Sequence, residues 1–103
     1  MGMKVEVFSV PGCNRCRQAK AMLRSVVEEL GETAFSVREV DAIAEAAYAA
    51  GFGVVLTPAI AIDGELVFAS LPTARQLCAE LTRRLVYDAP AAPSTERRAI
   101  AGR

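Results

Sequence analysis

The chain has 103 residues with twelve basic and twelve acidic side chains, a formal net charge of zero. That length supports one packed domain and not two, and 52% apolar residues supply a core. The balanced charge excludes nucleic acid as the main partner, because no basic excess exists to neutralise phosphates. There is no histidine, which removes the commonest general base, the Cys–His nucleophile pair and the commonest zinc ligand together.

Three cysteines are an odd and small number for a disulfide-stapled secreted domain. Met1 to Lys4 leads straight into an amphipathic strand and not into a cleavable apolar segment. Glu6 stands where a myristoylation signal wants Ser or Thr. A reducing cytoplasm is the expected setting. Residues 46–62 carry no charge, but Gly51, Gly53 and Thr57-Pro58 interrupt them, so a buried helix, loop and strand is expected there and not a membrane span.

Lys4 to Ser9 reads as the first strand, with Val5 and Val7 on one face. Pro11-Gly12 is turn chemistry. From Asn14 to Leu30 the apolar positions Ala19, Met22, Leu23, Val26, Val27 and Leu30 form one helical stripe, and Gly31 ends it. Ala34 to Val40 reads as the second strand, with Phe35 and Val37 alternating against Ser36 and Arg38. Asp41 is placed to cap a short helix from Ala42 to Ala50, closed by Gly51. Ala59 to Ile62 and Glu65 to Phe68 flank Asp63-Gly64, whose residue types suit a two-residue hairpin turn with positive φ at both positions. Pro72 suits the first turn of a last helix with the stripe Ala74, Leu77, Cys78, Leu81 and Leu85. The order βαβαββα predicts an α/β domain over residues 1–87: a four-stranded mixed sheet with its first two strands parallel and helices on both faces. Asp88 to Arg103 has no apolar period and reads as a flexible tail.

The chemistry centres on Pro11-Gly12-Cys13-Asn14-Arg15-Cys16, a Cys-x-x-Cys pair between a strand and a helix. Helical geometry puts Cα atoms three apart at roughly 5 Å, inside the ~4.4–6.8 Å that a disulfide needs. Cys16 continues the buried stripe, whereas Cys13 falls at the exposed helix start. Cys13 is therefore expected to be the attacking thiol and Cys16 the sheltered resolving thiol. The unpaired N–H groups of a first turn favour an anion, and Arg15, Arg17 and Lys20 add positive charge nearby. Cys13 should then ionise below the free thiol value of ~8.5. A closed zinc site needs four ligands, which this chain does not offer without carboxylates. A two-coordinate soft ion such as Cu(I) or Hg(II) is an alternative use of the pair. Cys78 lies on a helical stripe and reads as core. Thr57-Pro58 opens a strand; a cis bond there would leave backbone free to pair with an extended substrate.

These residues resemble the thioredoxin superfamily, and more narrowly the small thioredoxin-like, glutaredoxin-sized redox-active disulfide proteins of bacteria and archaea. The resemblance rests on Gly12-Cys13-Asn14-Arg15-Cys16, Gly53-Val54 leading to Thr57-Pro58-Ala59, Ile62-Asp63-Gly64-Glu65 and Leu71-Pro72-Thr73, and covers about residues 3 to 87. It implies a thioredoxin-like fold, a cis Pro58 and dithiol–disulfide exchange at Cys13 and Cys16. It is incomplete in places. Gly12 stands where thioredoxins carry Trp, and Ala69-Ser70-Leu71-Pro72 stands where glutaredoxins carry a Gly-Gly motif. No acid matches the buried carboxylate that assists ordinary thioredoxins, which leaves open how Cys16 loses its proton. The expected protein is a small thiol–disulfide oxidoreductase without metal or cofactor. It acts on a disulfide-containing protein or small thiol through Cys13 and Cys16, with Thr57, Pro58, Arg15 and Arg17 holding the substrate, and an unidentified reductase recharges it. The alternative is a thiolate carrier for Cu(I) or Hg(II), or a redox-sensing adaptor.

Overall fold

The computed structural model describes residues 2–87. Seven elements follow one another: β1 (Met3–Ser9), α1 (Asn14–Leu30), β2 (Phe35–Asp41), α2 (Ala46–Gly51), β3 (Ala59–Ile62), β4 (Glu65–Phe68) and α3 (Ala74–Tyr87). The four strands form one sheet in the order β2-β1-β3-β4. β1 runs parallel to β2 through the α1 crossover and antiparallel to β3, and β3 pairs antiparallel with β4. This is the expected mixed sheet. The expected tail, residues 88–103, lies outside the described residues.

The two sheet faces hold separate cores because side chains alternate along each strand. On one face Val5 and Val7 of β1 and Ile60 and Ile62 of β3 pack under α1 and α3, against Ala19, Leu23, Val26, Val27, Leu77 and Leu81. Each fully buried Leu or Ile there contributes roughly 1.5–3 kcal/mol. On the other face Phe8, Val40, Ala59 and Ala61 meet Ala49 of α2, with Tyr48 and Phe52 at the rim. The Phe8 and Phe52 rings lie 5.2 Å apart and those of Tyr48 and Phe52 5.0 Å apart.

The second core also buries a carboxylate. Glu6 is wholly buried, and its Oε2 accepts from the Tyr48 hydroxyl at 2.5 Å and from Arg38 at 3.1 Å. Arg38 bonds Glu45 at 2.9 Å as well, and its guanidinium lies 5.3 Å from the Tyr48 ring centre. A buried charge is tolerated only when paired in this way. The bond to Glu6, ahead of burial, pushes the Tyr48 hydroxyl above its ordinary value.

Several local expectations shift. β1 begins at Met3 and β2 at Phe35, with a 3₁₀ turn over Glu32–Ala34 before it. The second helix starts at Ala46 and not Ala42; residues 42–45 form a turn in which Asp41 Oδ1 accepts from the Ile43 and Ala44 amides, as a capping residue does, and the Asp41 carbonyl accepts from Glu45 N. Pro72 precedes α3 instead of opening it. Thr73 caps that helix: its Oγ1 accepts from Gln76 N at 3.0 Å while Gln76 Oε1 accepts from Thr73 N at 2.9 Å, a reciprocal capping box. Ala74 is exposed rather than on the buried stripe. Val37 is 49% exposed although Phe35 on the same face is buried. β2 is the sheet edge, and α1 leaves an open groove of about 490 Å³ beside it. Asp63 and Gly64 have φ of 50° and 85°, as the hairpin requires.

Candidate active site

The end of β1 delivers the chain to the cysteine pair. Gly12 turns it with φ of 78°, a conformation that side chains disfavour. Cys13 then takes an extended conformation as the residue capping α1, and its Sγ accepts the Cys16 amide at 3.0 Å. The Arg17 amide donates to the Cys13 carbonyl at 3.2 Å, which starts the helix ladder. Cys13 and Cys16 are joined as a disulfide with Cα atoms 5.2 Å apart. Cys13 is half-buried, whereas Cys16 is 1% exposed and sealed beneath the first turn. The two sulfurs thus have the unequal access that the apolar stripe predicts. Free Cys78 is half-buried at the rim of the core, its Sγ 4.0 Å from Thr82 Oγ1, and so is less enclosed than expected.

Thr57-Pro58 arrives at the same end of the sheet. β3 pairs antiparallel with β1 and Phe8 sits opposite Ala59, so the residues before Ala59 run alongside those after Phe8. The Thr57–Pro58 bond is cis. Pro58 is buried and Thr57 half-buried. Just before them Val55 and Leu56 are 88% and 64% exposed. This leaves two adjacent large apolar side chains in water just before the cis bond. The sequence reading missed them because an apolar run before a strand looks like core.

Of the flanking arginines, both are exposed. Arg17 lines a recess next to the pair, and its guanidinium is engaged by the Asn14 side chain. Arg15 is not among the residues lining it. The recess holds about 200 Å³ and is walled by Cys13, Cys16, Arg17 and Lys20 on one side and by Ser9, Glu39 and Asp41 on the other. Glu39 Oε2 accepts from Lys20 Nζ at 2.7 Å and from Ser9 Oγ at 3.2 Å. The Lys20 bond, the largest influence, holds the Glu39 carboxyl below its ordinary value. Glu39 and Ser9 escaped the sequence reading, although one signal existed. Lys20 follows Cys16 by four on an otherwise apolar stripe, and a cation there calls for an anion on the facing strand.

The chain resembles known proteins over most of its length. A family model described as a thioredoxin domain matches residues 3–82. A thioredoxin of Methanocaldococcus jannaschii is 29% identical over 83 residues, covering 81% of this chain and 96% of that protein. A probable thioredoxin of Methanothermobacter marburgensis is 31% identical over 77 residues, covering 75% of this chain and 89% of that protein. Among solved structures, a mutant thioredoxin from Halobacterium salinarum superposes with a TM-score of 0.66 at 21% identity, over 79% of this chain and 73% of that one. Chloroplastic thioredoxin z superposes with a TM-score of 0.69 at 15% identity, over 82% of this chain and 80% of that one.

Proposed function

Since the chain belongs to the thioredoxin superfamily and is a thiol–disulfide oxidoreductase, we propose that Cys13 attacks the substrate disulfide and Cys16 releases the product. The observation that carries this division is the unequal burial of the two sulfurs, with Cys13 half-open at the α1 start and Cys16 enclosed. The Cys13 thiolate forms a mixed disulfide with one substrate sulfur and expels the other. The Cys16 thiolate then attacks Cys13, closes the intramolecular bridge and releases the second substrate thiol. The helix-start amides that meet Cys13 stabilise it as an anion.

Substrates of thioredoxins are disulfide-containing proteins, and this chain shares that general kind of partner. The finer assignment is that backbone at Thr57 and Pro58 holds an extended substrate segment while Val55 and Leu56 contact its apolar side chains. Arg15 and Arg17 lie outside and favour acidic flanks. A cytoplasmic setting, with a reductase restoring the dithiol, fits a net reducing direction; no metal or cofactor enters the exchange. The soft-metal carrier is not favoured.

Turnover of insulin disulfides with dithiothreitol as donor tests the reading. The wild-type chain is expected to accelerate insulin precipitation and Cys13→Ser to abolish the effect. Equal rates for the two proteins would overturn it.

A further inference from the structure

The polar cluster of the second core has no part in the exchange step. Glu6 and Arg38 are register partners on β1 and β2. Strand alternation sends the Glu6 side chain to the sheet face opposite α1, where Val5 and Val7 do not reach. Both of its donors crowd onto Oε2, while Oε1 is buried and meets no hydrogen-bond donor among the described residues. A buried carboxylate left half-satisfied is costly, and an apolar side chain of similar volume would pack there without that cost. What the cluster supplies instead is direction. It grips α2, and the rest of α2 offers little grip. That helix has six residues, of which Ala49 is buried. A helix so short is not stable by itself, and its alanine surface sets no rotation against the sheet. Tyr48 ties the middle of α2 to β1, and Arg38 ties Glu45, the residue capping α2, to β2.

The far end of α2 carries the loop that leads to Pro58. The Ala49 carbonyl accepts from Phe52 N at 3.1 Å and Val54 N at 3.2 Å, and the Ala50 carbonyl accepts from Gly53 N at 2.9 Å. Residues 52–54 therefore move with α2. Residues 55–57 alone then separate Val54 from Pro58, which is buried, and from Ala59, which pairs with Phe8. A chain reaches at most ~3.3–3.6 Å per residue, so three residues have little slack, and Val55 and Leu56 take up any displacement of α2 first. We infer that Tyr48, locked by its hydroxyl to Glu6, is a positioning residue for protein substrates: it sets where Val55 and Leu56 stand ahead of Pro58. The inference rests on the contact role given to Val55 and Leu56 above and names what holds them in place. Thiol chemistry at Cys13 lies outside it, since Glu6, Arg38, Glu45 and Tyr48 are not among the residues walling the recess at the pair. A small disulfide has no side chains to lay on Val55 and Leu56 and is indifferent to Tyr48, whereas a protein substrate is not.

Tyr48→Phe keeps the ring beside Phe8 and Phe52 and removes only the bond to Glu6. Initial rates of insulin reduction by the full chain, with dithiothreitol as donor and the freed B chain read by chromatography, give KM and kcat. The pre-reduced chain in a Cys78→Ala background, mixed with 5,5′-dithiobis(2-nitrobenzoate), gives the reactivity of Cys13 toward a small disulfide. Misplacing a positioning element costs up to ~10²-fold; with the ring packing retained, insulin KM is expected to rise about three- to tenfold, while kcat and the small-disulfide rate stay within about twofold. Leu81→Ala loosens the opposite core and serves as the stability control; below its melting transition it should leave insulin KM within about twofold of wild type. Tyr48→Phe added to Val55→Ala/Leu56→Ala should raise KM no further, because the side chains it positions are already gone. An unchanged insulin KM in Tyr48→Phe overturns the inference, as does an equal loss toward both disulfides, a matching rise in Leu81→Ala, or an additive rise in the triple variant. Val55→Ala/Leu56→Ala with a wild-type KM would instead overturn the contact reading itself, and the inference with it.

Discussion

Removing Cys16 isolates the most direct consequence of the site geometry. In wild type the mixed disulfide on Cys13 is attacked by a thiol whose Cα lies 5.2 Å away, already at bridging distance. Well-oriented intramolecular groups reach effective molarities of ~10⁵–10⁸ M, and even ~1 M against ~1 mM external thiol would shorten the mixed disulfide's life about 10³-fold. Cys16→Ser is therefore expected to hold the mixed disulfide at least about a thousand times longer at ~1 mM competing thiol. Cys13→Ser leaves a sulfur that is 1% exposed, and it should trap almost nothing. Intact-mass spectrometry after incubation with a small aromatic disulfide reads the adduct directly, and peptide mapping separates Cys13 from Cys78. Comparable adduct on both variants would refute the assigned roles, as would a wild-type adduct that persists without reductant.

Three further outcomes follow from the packing and charges. Leu81→Ala empties a fully buried position where α3 meets α1 and the sheet; it should cost about 2–5 kcal/mol in urea unfolding, and a loss under 1 kcal/mol would mean the site collapses or is not packed as described. Thr73→Ala breaks the reciprocal cap of α3 and should cost about 1 kcal/mol, seen as a lower melting temperature with no change in Cys13 reactivity. Glu80 accepts from Arg83 at 2.5 Å and Arg84 at 2.6 Å, and these bonds hold its carboxyl below the ordinary 4.5. A carboxyl lowered in the folded state stabilises above its unfolded value and loses that contribution as pH falls through the folded one. Glu80→Gln should thus lower stability at pH 7 by at most about 1 kcal/mol, with the difference shrinking as pH falls below the ordinary carboxyl value and through the lowered folded one; a gap that widens in acid would contradict the ion pairs.

Much of this protein is written locally. The stripe from Ala19 to Leu30 is a period that only a helix satisfies, and α1 spans Asn14–Leu30 as that period requires. Asp63-Gly64 dictates its turn because both positions need positive φ, and the flanking strands follow. The unequal burial of the two cysteines was legible as well, since helix phase alone sends Cys16 inward and leaves Cys13 at the tip. Other features depend on which strand lies beside which, and no local period encodes that. Residues 42–45 form a turn and α2 begins only at Ala46, although Asp41 bonds the Ile43 and Ala44 amides as a cap does. Val37 is exposed because β2 is an edge, a property of sheet order. Glu6 looks like a solvent-facing strand residue until Arg38 and Tyr48 arrive from β2 and α2 to bury it. Glu39 lies 23 residues after Cys16 in the chain, and only the parallel register of β1 and β2 sets it across the recess. Periodicity fixes which way a side chain points within its own element; what it meets there is settled when the elements pack.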